Sequence, residues 1–367
     1  MLFKIINCNP ADYVNDLNRY LALRNLITSY GLRKNIVILG TDAINQILNS
    51  NIYDTPTKNF VYEIDITRRE YHQIVPQLLV YCIVDFNFNG IECSLSNNQF
   101  AIRMGYKYFV STSNTEYVNF ITEGKNDFDM YTLIAKYYVR KISPLNLGVG
   151  LNFCQGAGSQ CKQRFDDLTN DSEITLCIID NDKSHPAKGK GSTANLFKDF
   201  DKEYNNNSLA HIIDVREIES LLPIKVIEEV VCENKVPKDI ESLDIIKAFK
   251  TVNISFREYF DHKEGLSLKN AINLDSKHGD YWLSILHTNH KFASSQCLIN
   301  ETCYECHKCG KIEGFGDNIL KRSLDYMNKL NLNSLDVEPD ILTHWNKIGE
   351  LILSWGCIPN SSPTRTS

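Results

Sequence analysis

Between about residue 116 and residue 223 apolar strands and amphipathic helices alternate, and no other feature of the chain limits its fold so strongly. Val118-Asn119-Phe120-Ile121 reads as a strand. A helix follows from about Asp127, with Tyr131, Ile134, Ala135 and Tyr138 at i, i+3, i+4 and i+7 on one face. A strand is expected over residues 147–153, then a turn at Gly156-Ala157-Gly158 and a helix carrying Cys161, Phe165 and Leu168. Ile174-Thr175-Leu176-Cys177-Ile178-Ile179 is almost uniformly apolar, as strands covered on both faces tend to be. A helix over about residues 193–204 and a strand His211-Ile212-Ile213-Asp214-Val215 complete the pattern. Alternation of this kind predicts a parallel, Rossmann-like sheet flanked by helices.

The flanks read differently. Residues 1–114 open with a helix whose apolar face is Leu17, Tyr20, Leu21 and Ile27, closed by Gly31. A strand Ile36-Val37-Ile38-Leu39 leads through Gly40-Thr41-Asp42 into another helix, and short strands are expected around Tyr62, Ile91 and Tyr108. The acids here are scattered and no glycine-rich phosphate loop is present, so this α+β domain is assigned to partner docking or oligomerisation. Residues 225–358 read as a mainly helical domain with a late helix containing Trp345, Ile348, Ile352 and Trp355, and Pro339 near its start. The polar stretch 359–367 is expected to be disordered. The fold class is therefore α/β, with the parallel-sheet domain at 115–224 between an N-terminal α+β region and a helical C-terminal one.

The 39 Lys+Arg against 45 Asp+Glu give a net charge of −6, which argues against a broad nucleic-acid-binding surface. Any such site must be local, or gain positive charge from metal, a homo-oligomer or a partner. The most apolar run, residues 74–86, contains Gln77 and Asp85 and falls well short of the ~20 residues that span a bilayer. No signal-peptide core follows Met1, so a cytoplasmic, membrane-free location with reduced cysteines is expected.

Three strands of the alternating region end in acid: Thr122-Glu123-Gly124-Lys125-Asn126-Asp127, Asp180-Asn181-Asp182, and Arg216-Glu217-Ile218-Glu219. In an open parallel sheet ligands bind beyond the carboxyl ends of the strands, so these acids would converge on one rim. Carboxylates gathered in one place repel one another unless a hard cation such as Mg²⁺ or Mn²⁺ neutralises them. Each acid also has a plainer reading. Asp127 suits a helix cap, Asp180 and Asp182 suit a turn, and Glu217 and Glu219 would share one solvated face of a continuing strand.

Glu123-Gly124 after one strand and Asp180-x-Asp182 after another resemble the Toprim domain of topoisomerases, bacterial primases and OLD-family nucleases. The Glu-Gly-x-x-Asp form, the Gly-Ala-Gly turn and the later Arg-Glu-Ile-Glu-Ser-Leu-Leu-Pro run are most similar to the nuclease branch, which includes bacterial anti-phage defence nucleases. The resemblance covers about 110 residues. It implies that Glu123, Asp180 and Asp182 are metal-binding and catalytic acids, that Asp127 is a second acid of the nuclease form, and that Glu219 makes a further metal contact. The implied reaction is metal-assisted phosphodiester hydrolysis of DNA or RNA. Lys263, in Asp261-His262-Lys263-Glu264-Gly265, is a candidate for stabilising the transition state. OLD-type nucleases often carry an ATPase in the same chain, and none is legible here, so a separate ATPase or sensor protein is expected as partner. A binding subunit without catalysis is the alternative.

Lys183, Lys188 and Lys190 follow the acid pair in a stretch that reads as flexible, and they are candidates for gripping a phosphate backbone, or simply a solvated loop. Lys190-Gly191-Ser192-Thr193 superficially resembles a P-loop, but Gly-x-x-x-x-Gly-Lys-Ser/Thr is not present. Cys297, Cys303, Cys306 and Cys309 crowd into a short segment in which Cys306-His307-Lys308-Cys309-Gly310 has the form of a zinc knuckle. Structural zinc, free structural thiols and an iron–sulfur cluster all remain open for it.

Overall fold

The computed structural model describes residues 1–96, 98–158, 160–198, 206–234, 236–303 and 310–360. It divides into two compact units. The first comprises Met1–Ile178, Asp199–His211 and Asn346–Ser367, and the second Ile179–Lys198 and Ile212–Trp345. Among the described residues no helix is long and apolar enough to cross a membrane.

The first unit carries two sheets. One is built from β1 (Leu2–Ile6), β2 (Ile36–Ile38), β3 (Val80–Asp85), β4 (Ile91–Ser96) and β5 (Gln99–Gly105) in the order β2-β1-β3-β5-β4. Four of these strands run parallel, and β4 pairs antiparallel with β5 at the edge. The N-terminal region is thus wound as a parallel sheet, not as the α+β arrangement expected. The crossovers are α1 (Leu17–Gly31), and α2 (Thr41–Asn49) followed by α3 (Thr55–Ile74). Tyr62, expected in a strand, lies in α3, and Tyr108 lies in a short 3-10 turn. The face of α1 is also rotated from the expected one. Ala22, Leu23, Leu26, Ile27 and Tyr30 are buried, whereas Leu17 is exposed. Beyond the carboxyl ends of β1, β2 and β3 lies a cavity of about 710 Å³ bordered by Asn7, Asn9, Thr41 and Asn87.

The second sheet has β6 (Val118–Thr122), β8 (Leu151–Gln155), β9 (Thr175–Ile179) and β10 (Ser208–Ile212) in the order β10-β9-β6-β8. Here β6 runs parallel to both β8 and β9, with Phe120 beside Phe153 and Leu176. The stretch expected as one strand over 147–153 is divided. Its first half, β7 (Leu147–Val149), pairs antiparallel with the terminal strand Cys357–Pro359, and only its second half joins the sheet. The helices α4 (Lys125–Lys141) and α5 (Gln160–Asn170) bury the expected residues Tyr131, Ile134 and Ala135, and Cys161, Phe165 and Leu168. All five residues of β9 are buried.

The second unit is mainly helical. Within it the helix expected over 193–204 is cut short: α6 (Ser192–Asn195) ends in a turn over 196–198, and 199–204 lie outside the described residues. Then come α7 (Ile224–Asn234), α8 (Pro237–Val252), α9 (Phe256–Tyr259), α10 (Leu268–His278) and α11 (Trp282–Leu286), and a small sheet of β11 (Gly265–Ser267) against β12 (Lys311–Glu313). The late helix Pro339–Gly356, of which the residues from Asn346 on belong to the first unit, starts on Pro339 and buries Trp345, Ile348, Ile352 and Trp355.

Candidate functional site

In the second unit the chain leaves β9 through Asp180-Asn181-Asp182. Asn181 is buried; its side-chain amide donates to the Ile213 carbonyl at 3.1 Å, and its Oδ1 accepts from the Lys183 N–H at 2.8 Å. This local side-chain turn holds Asp182 at φ +54°, the left-handed region that an acid tolerates better than most residues. The Asp182 N–H donates to the Arg216 carbonyl at 2.9 Å, and the Gly191 N–H donates to the Asn181 carbonyl at 2.8 Å. A Cβ added to Gly191 would stand 2.2 Å from Asp182 Oδ2, so the loop closes around this carboxylate only because residue 191 is glycine.

Arg216-Glu217-Ile218-Glu219 supplies the next two acids, and both glutamates are buried. The chain does not continue as a strand here: Ile218–Leu221 form a 3-10 turn. That turn brings Glu217 and Glu219 to one ammonium, with Lys263 Nζ 3.6 Å from Glu217 Oε2 and 3.3 Å from Glu219 Oε1. Their plainer reading as a solvated strand face is therefore overturned. Glu217 Oε1 also accepts from the His262 N–H at 2.7 Å. Asp261 fixes the turn that carries the lysine. Its Oδ1 accepts from the Lys263 and Glu264 N–H groups at 3.1 and 2.7 Å, and its Oδ2 pairs with Arg216 at 2.5 Å.

These contacts leave negative charge undercompensated. Burial, then the neighbouring Glu217, pushes the Glu219 carboxyl up to about 7, with Lys263 opposing. Burial likewise raises Glu217, and partial desolvation raises Asp182 against Arg216, Lys263 and Lys188. Desolvation works against the Lys263 ammonium, but Glu219, Glu217 and Asp180 together hold it above the ordinary lysine range. Glu219 Oε2 is buried and has no hydrogen-bond partner among the described residues. An orphaned carboxylate oxygen among hard oxygen donors suits a divalent cation of the Mg²⁺ or Mn²⁺ kind. Among the described residues, however, no three acids, histidines or cysteines stand together as a ligand set, and Lys263 itself bridges Glu217 and Glu219.

The two remaining expected acids belong to the first unit. Glu123 follows β6 directly and is half-buried. Its charge joins burial and the neighbouring Cys161 in raising the Cys177 thiol. Asp127 occupies the first turn of α4, where its Oδ2 accepts from the Gly124 N–H at 2.8 Å. It caps the helix, as its plainer reading had it.

The basic stretch after Asp182 is anchored. His185 is 2% exposed, its Nε2 lies 3.0 Å from the Gly279 carbonyl, and the Trp282 indole N–H donates to the Ser184 carbonyl at 2.9 Å. Asp275, also buried, accepts from the N–H groups of Tyr281, Trp282 and Leu283 and so fixes the receiving turn. The expectation of a flexible loop fails because a buried histidine and a carbonyl within it find partners more than ninety residues away. Lys188 Nζ donates to Ser184 Oγ at 2.9 Å, and Lys183 and Lys190 are half-buried. Cys297 and Cys303 are half-buried, while Cys306 and Cys309 lie outside the described residues.

Sequence reasoning thus singled out Asp180, Asp182, Glu219 and Lys263, which the second unit brings into one electrostatic neighbourhood. It undervalued Glu217 and missed Asp261 and His185. The Arg216-Glu217-x-Glu219 spacing was the available signal for Glu217. No family model, curated protein or solved structure matches this chain.

Proposed function

We infer that the chain is a divalent-metal-dependent nuclease of the Toprim type that hydrolyses phosphodiester bonds in DNA or RNA. In this reading it is the cytoplasmic effector of a bacterial anti-phage defence system and works with a separate ATPase or sensor protein. The observation that carries the reading is the buried Glu219 carboxylate, with one oxygen unpartnered among the described residues and its acidity suppressed, beside Glu217 and sharing Lys263 with the charges of Asp180 and Asp182. Such a group asks for a cation more than for another hydrogen bond.

Under this reading Asp180, Asp182 and Glu219 hold the metal, with Glu123 and Asp127 assigned to the same set on the resemblance alone. When bound, the metal would supply Lewis acidity and would lower the pKa of an attacking water. Lys263 offers its ammonium to charge developing on the phosphoryl oxygens, and Glu217 and Asp261 keep it in place. Glu123 positions the attacking water or takes its proton. The test is cleavage of DNA and RNA in Mn²⁺ by the wild type and by Glu123→Ala and Asp180→Ala. Loss of cleavage in both variants supports the reading, and equal cleavage by all three chains refutes it.

One observation favours a different class. Lys263 already neutralises part of the acid pair, as it would in a binding subunit of a nucleic-acid-associated complex that has no catalytic role. If both alanine variants still protect the host against phage, that reading prevails.

A further inference from the structure

A cavity of about 330 Å³ lies wholly within the second unit, and its lining includes Lys188 and Arg216. Those two cations, with Lys263, are also the ones whose field bears on Asp182, so the cavity adjoins the acids. Its far wall is one face of α10, where Asn270, Asn273, Leu274 and Lys277 recur at i, i+3, i+4 and i+7.

The lining chemistry is divided. Leu266 and Leu274 offer apolar surface, and the amides of Asn270 and Asn273 offer donors and acceptors at an exposed helix face. Arg216 is neutralised by Asp261. Lys188 and Lys277 form no ion pair among the described residues, although the Lys188 charge also acts on Asp182, and the acids on the same lining are Glu264 and the Asp261 already paired with Arg216. Two unpaired ammonium groups call for an anion, and amides over leucine suit the edge and face of a heterocycle. A volume near 300 Å³ lies at the small end of ligand sites, enough for one nucleoside and too narrow for a duplex. The walls are preformed, because the Ser184 and His185 anchors tie the loop that carries Lys188 to the turn that follows α10.

We propose that this cavity is a subsite for one nucleotide of a single-stranded substrate, adjoining the phosphate to be cleaved. The base lies against Leu266 and Leu274 and is met by Asn270 and Asn273, and the phosphate lies between Lys188 and Lys277. The proposal rests on the nuclease reading for its link to cleavage. A base enters such a cavity only when unstacked, so single strands and frayed ends are preferred over duplex interiors.

The test is titration calorimetry of the full chain in EDTA, with a nucleoside 5′-monophosphate and with inorganic phosphate as probes. It compares the wild type with Lys277→Glu and Asn273→Leu. Both positions are exposed, so both variants should keep the wild-type melting temperature. The expected result is nucleotide binding that weakens about tenfold or more in Lys277→Glu, on the scale of one lost charge contact. In Asn273→Leu it should weaken about fivefold, the scale of one lost hydrogen bond. Inorganic phosphate should bind more weakly than the nucleotide and respond only to Lys277→Glu. The proposal is overturned if the wild type binds no nucleotide, if neither variant weakens binding, or if phosphate binds as tightly as the nucleotide. Because the titration is run without metal, it does not depend on cleavage: absence of cleavage by the wild type in Mn²⁺ would count against the nuclease reading alone, and variant-sensitive nucleotide binding would still support the subsite.

Discussion

Two buried carboxylates sit just past, or at the end of, sheet strands in the two units, and they are treated in opposite ways. Asp85 ends β3 in the first unit and is fully buried. It accepts from the Asn7 amide at 2.9 Å, the Asn87 N–H at 2.8 Å and the Arg103 guanidinium at 3.0 and 2.5 Å. Burial pushes its carboxyl up, yet these donors together outweigh burial and hold it below the ordinary range. Glu219 in the second unit shares one ammonium with Glu217 and leaves an oxygen bare. Burial wins there, and the carboxyl rises to about 7. A carboxylate that the protein has finished satisfying is a structural part, whereas one left unfinished is available to something the chain does not itself supply.

The contrast is broken most directly by removing one acid from each unit. Asp180→Ala should lower cleavage by roughly 10²–10³-fold, the scale of losing a preorganised charge at a transition state, with little change in melting temperature. Initial rates in Mn²⁺ measure it. Asp85→Ala should do the reverse, lowering stability by about 2–3 kcal/mol because the Asn7 and Asn87 donors lose their acceptor. The cost stays below that of a fully buried pair, since Arg103 keeps Glu92 at 2.8 Å. Denaturant titration beside a cleavage assay separates the two effects, and the comparison collapses if Asp85→Ala abolishes cleavage at unchanged stability.

How far the sequence disclosed this contrast follows from the range of the interactions involved. The helix α5 was legible because Cys161, Phe165 and Leu168 bury one face at helical spacing, and β9 because all its residues but Thr175 are apolar. Of the first sheet, the strands at Ile36–Ile38 and from Ile91 were legible, but β3 was not, because Val80 to Val84, which alternate between buried and half-buried positions, are all apolar and no polar period marks it. Glu217 was hidden by the change from strand to 3-10 turn after it, which no side-chain period announces. The link from His185 to Gly279 spans 94 residues, and that from Trp282 to Ser184 spans 98, so neither leaves a local trace. The acids at strand ends were legible as types; their partners were decided by packing.

Gly191 sharpens the comparison at smaller scale. In Gly191→Ala the new Cβ would meet Asp182 Oδ2 at 2.2 Å and its Cβ at 2.3 Å, so the carboxylate must move. Displacing it by about 1 Å should cost on the order of tenfold or more in cleavage, with a stability loss of roughly 1–2 kcal/mol from local overpacking. Gly189 lies two residues earlier and has open space around its Cβ position. Gly189→Ala should therefore leave both quantities nearly unchanged, and equal losses at the two glycines would mean that loop backbone, not the Asp182 carboxylate, is what matters.

The smallest expected effect is a slope in pH, and its sign follows from the direction of the Glu219 shift. The folded-state carboxyl titrates near 7, above the ordinary glutamate value near 4.5 that the unfolded chain keeps. The native state therefore prefers the protonated form. The associated stability is fully present below about pH 4.5 and is lost as pH rises through about 7. Without divalent cation, the melting temperature should fall by several degrees between pH 5.5 and 8. Asp85 works in the other direction, because its depressed carboxyl loses stabilising interactions only when pH falls into the acid range. If Glu219 is a metal ligand, as proposed, Mn²⁺ would bind its ionised form, so the stabilisation it adds should grow over the interval in which the metal-free protein weakens. Glu219→Gln should flatten both trends, since an amide neither ionises there nor attracts the cation as a carboxylate does. Thermal melts of the two chains with and without Mn²⁺ at pH 5.5 and 8 decide the matter. If the metal-free wild type is as stable at pH 8 as at 5.5, Glu219 is a satisfied group like Asp85, and the distinction between the two carboxylates disappears.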